Sequence, residues 1–198
     1  MISEVYSEDI YISDFTELAN SKGKDNVPYS GVVVSTQENG IIPSFVLTDR
    51  NSFPFVVINN EKNLALFTKP DGSTVSQCEC IIYAERHDNR KGWMIFLELK
   101  YCEAKNVYNN ILEGIPQLKA TCRYVMEDIM AFDTTQFKKY LVISTPGVTP
   151  LDPFDASYFD QDYMLTVKEE TGAVIKASNI GHILTPAVVV FEEPNYIH

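Results

Sequence analysis

The chain has 198 residues, 45% of them apolar and 22% charged, with a net charge of −11. That length suffices for one domain with a full core, and no apolar run approaches the ~20 residues of a membrane helix, so no membrane partner is expected. So acidic a surface repels nucleic acid wherever basic groups are not gathered locally; the acidic start "MISEVYSEDIYI" lacks the pattern of a secretory signal, and four cysteines without a disulfide framework suggest free thiols in a reducing, cytoplasmic setting.

Residues 8–22, "EDIYISDFTELANSK", read as a short helix with Ser13 as N-cap and Gly23 as its stop. Short β-branched or aromatic runs follow, separated by Asn, Gly and Pro: "GVVVST" (31–36), "SFVLT" (44–48), "FPFVVI" (53–58) and "LALFT" (64–68). "KPDGS" (69–73) is a turn, with Pro presetting φ and Gly tolerating positive φ.

A hairpin comes next, "CECIIYAE" (78–85) and "WMIFLELK" (93–100), joined by "RHDNRKG" (86–92). Strand alternation groups Cys78, Cys80, Ile82 and Ala84 on one face and Glu79, Ile81, Tyr83 and Glu85 on the other. The second strand is apolar on both faces until Glu98 and Lys100, as for a strand covered on both sides. A symmetric connection sets Glu79 across the ladder from Glu98 or its neighbour. Facing like charges destabilise a sheet, and a bound cation would offset them.

Beyond the hairpin, Val107, Ile111, Ile115, Leu118, Cys122, Val125 and Ile129 form a seam at steps of three or four. Gly114 and Pro116 interrupt it, which suggests two helices or one kinked helix. "YLVIST" (140–145) is a buried strand, residues 146–163 a loop rich in Pro, Asp and aromatics, and "MLTVKEE", "AVIKAS" and "AVVVFEE" look strand-like. The element order gives a mixed α/β (α+β) fold in one domain, 1–198.

Glu98 and Lys100, two apart, share a face, and Glu79 joins them in the expected register. Two carboxylates suffice for Mg²⁺, which prefers oxygen ligands and retains waters. A lysine beside them can orient water or steady charge building on a phosphate. An acidic residue in one strand, E-x-K at the end of the next, then a helix and a strand resembles the PD-(D/E)xK nucleases, the restriction-endonuclease-like fold. The resemblance covers a core of about residues 64–145, with a helix and strands in 1–63 and a strand-rich extension in 146–198.

That resemblance implies a central mixed sheet flanked by helices and hydrolysis of DNA phosphodiester bonds with Mg²⁺ (or Mn²⁺). It implies Glu79 and Glu98 as metal ligands, Lys100 as the E-x-K lysine and Gln117 as the helix glutamine. Glu79 stands where the family usually has Asp. Glu17 is the candidate for a first-helix glutamate, and Asp71 of Pro70-Asp71 ranks below Glu79 because it lies in a turn. A second E-x-K, Glu103 to Lys105, shows that the motif counts by position rather than by occurrence.

The alternative is a catalytically inactive module of the same fold that binds or regulates a protein through its acidic-aromatic loop, 150–163. Whether the chain would act alone or as a homodimer stays open. Cys78, Cys80, His87 and Cys102 match no zinc spacing, and Asp152, Asp155, Asp160 and Asp162 lack the spacing and glycine of a helix–loop–helix calcium site. Lys119, Arg123, Lys138 and Lys139 form either a basic strip beside the site or an ordinary solvated face.

Overall fold

The computed structural model describes residues 1–84, 90–127, 133–148 and 161–192. These form a mixed α/β fold with three α-helices, α1 (Thr16–Lys22), α2 (Val107–Glu127) and α3 (Gln161–Thr171), and eleven strands. The strands are β1 (Glu4–Tyr6), β2 (Ile10–Asp14), β3 (Val32–Ser35), β4 (Phe45–Thr48), β5 (Phe55–Asn59), β6 (Cys80–Ala84), β7 (Gly92–Leu99), β8 (Phe137–Ser144), β9 (Ala173–Ala177), β10 (Ile180–Thr185) and β11 (Val188–Phe191).

Six strands make one sheet in the order β1-β5-β6-β7-β8-β9, and five make a second in the order β11-β10-β4-β2-β3. In the first sheet β5, β6 and β7 form an antiparallel meander, and β8 and β9 join parallel to β7. A parallel neighbour needs a crossover, which α2 provides between β7 and β8. The second sheet unites β2, β3 and β4 from the start of the chain with β10 and β11 from its end, where β10 pairs parallel to β4.

The six-stranded sheet is covered on both faces, which explains why all eight residues of β7 are buried. On one face Ile81, Met94, Phe96, Leu141 and Ile143 pack against the α2 seam of Val107, Ile111, Ile115, Leu118, Cys122 and Val125. On the other, Ile82, Trp93, Ile95 and Leu97 pack against Ile10, Ile12, Phe45 and Leu47 of the second sheet. The layers are therefore helix, sheet, sheet.

Three local expectations change. Residues 10–14 are strand β2, not helix. Ile10 and Ile12 are both fully buried, and this spacing of two is the strand period. Only 16–22 is helical, and Ser13 is no N-cap: its hydroxyl meets Ser44 Oγ at 2.7 Å, while Asp14 Oδ1 accepts the Thr16 N–H at 2.8 Å. Residues 61–67 form a 3₁₀ segment instead of a strand. Asn63 Nδ2 donates there to the carbonyls of Asn59 and Ile2, local bonds that compete with a ladder.

"MLTVKEE" lies in α3, where Val167 and Thr171, four apart, are buried. Of the two readings of the seam, the single helix holds: α2 runs through Gly114 and Pro116, with Pro116 on its exposed side, and Ile129 lies outside the described residues. The remaining strand expectations from 31 to 58, the hairpin, 140–145 and the C-terminal pair match β3 to β8, β9 and β11.

Candidate carboxylate–lysine site

The site lies where β6 begins and β7 ends. Cys80 pairs with Leu97, so Glu79 follows at the end of the ladder beside Glu98. Backbone bonds fix Glu79 on both sides. Its N–H donates to the Leu97 carbonyl at 2.9 Å, and its carbonyl accepts the Asn60 N–H at 3.0 Å. Cys78 departs from the expected alternation and packs in the α2-side core, whereas Cys80 faces the second sheet. The reason is its backbone: the Cys78 N–H leaves the ladder for Thr121 Oγ1 of α2 at 2.8 Å, and its carbonyl accepts from Asn60 Nδ2 at 2.8 Å.

Glu98 belongs to the fully buried part of β7, at 0% exposure. Lys100, whose N–H donates to the Ser144 carbonyl of β8 at 2.8 Å, turns its Nζ to 2.7 Å from Glu98 Oε1. The two form an ion pair at Oε1, and the other buried oxygen of Glu98, Oε2, has no partner among the described residues. Gln117 Oε1 lies 3.5 Å from Lys100 Nζ, and Gln117 Nε2 donates to the Gln77 carbonyl at 2.7 Å, which sets the amide's orientation. Helix α2 approaches through Gly114, where an added Cβ would meet Glu98 Cγ at 3.3 Å and Lys100 Cε at 3.5 Å.

The electrostatics show the strain of gathering these charges. Burial pushes Glu98 up to about 7 against the lowering influence of Lys100. Burial, and then the negative charge of Glu98 and of Asp14, push Glu79 up to about 8. Asp14, at the end of β2, thus acts on both carboxylates, and reading 8–22 as a helix concealed it. Tyr101 was missed as well. Its hydroxyl accepts the Asp14 N–H at 3.1 Å and donates to the Pro43 carbonyl at 2.9 Å, and burial pushes it up to about 12. The available signal was its place after Lys100, which by alternation points it to the opposite face.

Asp14 and Tyr101 line a cleft of about 330 Å³ with Glu17, Leu18, Ser21 and Ile42, so the first-helix glutamate borders this cleft. Asp71 is fully exposed in its turn, its carboxylate held low by bonds from Ser73. Lys119 and Arg123 each pair with Glu170 of α3 at 2.7 Å and so join the two helices. Glu85, His87, Asp152, Asp155, Asp160, His198 and all of the acidic loop except 161–163 lie outside the described residues.

Among the described residues no group of three or more His, Cys, Asp or Glu side chains is placed to hold a metal ion. The two-carboxylate set nonetheless suits a hard cation: its donors are all oxygen, and Glu98 Oε2 is buried without a partner among the described residues. Comparison with known proteins returned no match to this chain from family models, curated proteins or solved structures.

Proposed function

We propose that the chain is a Mg²⁺-dependent nuclease that hydrolyses phosphodiester bonds of DNA at a PD-(D/E)xK-type site built from Glu79, Glu98, Lys100 and Gln117. The observation that carries this reading is the fully buried Glu98 carboxylate, with Lys100 on one oxygen and no partner for the other among the described residues. One ammonium at Oε1 leaves Oε2 buried without a partner among the described residues, and a carboxylate so buried remains costly to ionise; a divalent cation would offset that cost. The antiparallel meander β5-β6-β7, crossover helix α2 and parallel strand β8 are elements that a restriction-endonuclease-like fold would need, and they support this reading.

In this reading Glu79 and Glu98 hold the cation, which supplies polarisation of the phosphate and a lower pKa for bound water. Lys100, 23% exposed at its side chain, reaches toward solvent and steadies charge developing on the phosphate. Gln117 keeps the ammonium directed between itself and Glu98. Incubation of supercoiled and linear DNA with Mg²⁺ or Mn²⁺ tests the proposal. Cleavage is expected, EDTA should stop it, and Glu98→Gln or Lys100→Ala should abolish it. Undiminished cutting by both variants refutes the assignment.

A second reading, an inactive module of the same fold that binds a protein partner, draws on the 0% exposure of Glu98 and the net charge of −11. Titration calorimetry separates the two: absence of Mn²⁺ binding at pH 8 supports the inactive module, and heat that disappears in Glu98→Gln supports the nuclease.

A further inference from the structure

The outer face of the five-stranded sheet carries a second polar constellation. Ile183 and Leu47 face the core, so strand alternation turns Thr48 and His182 outward. The parallel register of β4 and β10 sets His182 directly opposite Thr48, and β11 brings Glu192 alongside. Because Ile10 pairs with Leu47 and Ile12 with Phe45, Thr48 is at the opposite end of the β2–β4 pair from Asp14 and the carboxylate–lysine site.

The three side chains are joined in series. Thr48 Oγ1 lies 2.7 Å from His182 Nδ1, and His182 Nε2 lies 3.0 Å from Glu192 Oε1. An ionised carboxylate only accepts, so Nε2 carries the proton shared with Glu192. In the neutral ring Nδ1 is then an acceptor, and the Thr48 hydroxyl donates to it at 2.7 Å in preference to the Gly181 carbonyl at 3.5 Å. The relay is open to solvent, with the His182 side chain 28% exposed. It borders a cleft of about 360 Å³ to which Arg50 and Asn51 also contribute. The backbone fixes the far member, because the Glu192 N–H donates to the Ile180 carbonyl at 3.0 Å and its carbonyl accepts from Ser178 Oγ at 2.8 Å.

We infer that Thr48, His182 and Glu192 form a hydroxyl–imidazole–carboxylate relay that hydrolyses small acyl esters held in this cleft. Thr48 Oγ1 adds to the ester carbonyl carbon while His182 Nδ1 takes the hydroxyl proton. Arg50 on the cleft wall provides donors for the oxyanion, and Asn51, whose Nδ2 donates to the Leu184 carbonyl at 3.3 Å, has its second amide N–H left for it. The ester C–O bond then breaks, and the alcohol departs with the proton returned from Nδ1. Water, deprotonated by the same nitrogen, adds to the acyl-threonine, and collapse releases the acid and restores the hydroxyl. Glu192 holds the ring in the required tautomer and is a positioning residue.

The test is hydrolysis of p-nitrophenyl acetate, together with labelling by a fluorophosphonate probe and peptide mapping of the adduct. The adduct is expected on Thr48 and should persist in Thr48→Ser. Thr48→Val and His182→Gln should lose it and turn the ester over roughly a hundredfold more slowly. Glu192→Gln should shift the pH profile of the hydrolysis as well as slow it. EDTA should leave the rate unchanged, which separates this activity from the metal-dependent one. Wild-type turnover by Thr48→Val, or an adduct mapped to another residue, overturns the inference.

Discussion

Glu98 and Glu79 hold protons that free carboxylates would release. Burial raises them to about 7 and about 8 from an ordinary 4.5, with the charge of Glu98 adding to the shift of Glu79. Because the folded chain then binds protons that the unfolded chain does not, their contribution to stability is complete below about pH 4.5 and is lost as the pH rises through 7 and 8. The metal-free protein should therefore melt at a lower temperature at pH 8.5 than at pH 6, which differential scanning calorimetry can measure. Mn²⁺ should restore the difference, since binding to the folded state alone raises its stability by mass action. Glu98→Gln, which removes the charge and keeps the shape, should raise the melting temperature at pH 8.5 without metal and eliminate the Mn²⁺ response. A variant more stable than the parent but without activity is the expected mark of a residue retained for chemistry rather than for folding.

Helix α2 brings the site together from the side opposite the second sheet. Glycine inside a helix costs about 0.5–1 kcal/mol relative to alanine, and Gly114 remains there because a larger residue would press on Glu98 and Lys100. Gly114→Val should destabilise the fold by about 1–3 kcal/mol, read from urea denaturation, and weaken Mn²⁺ binding measured by calorimetry. Pro116 follows two positions later on the exposed side of the helix and cannot donate to the carbonyl four residues earlier. Pro116→Ala should raise stability by about 1–3 kcal/mol in the same experiment. The α2 seam and the alternation of β7 were both legible in the sequence, because each repeats a strong period over many residues. Strand β2 and helix α3 were not. Five residues of β2 with two inward isoleucines carry too short a signal, and α3 buries only one stripe.

The second sheet makes the two ends of the chain depend on each other. Ile183 and Val189, near the C-terminal end, share a core with Ile10, Phe45 and Leu47 from the first quarter. Truncation after residue 178 would remove β10 and β11 and uncover the β4 edge together with apolar surface on β6 and β7. Such a chain should lose its cooperative urea transition and associate in gel filtration, because exposed strand edges and apolar faces both promote aggregation. The same packing seals one side of the carboxylate–lysine site: β2 brings Asp14, and Tyr101 reaches the Asp14 N–H.

By itself the sequence determined the α2 seam, the hairpin with its register and so the neighbourhood of Glu79, Glu98 and Lys100, because strand and helix periods are local properties. Three matters were decided only in three dimensions: that Asp14 presses on both glutamates, that Cys78 leaves its ladder for Thr121, and that Thr48, His182 and Glu192 meet. Each joins segments far apart along the chain, and such contacts follow from the stacking of layers, which no local pattern of residues encodes.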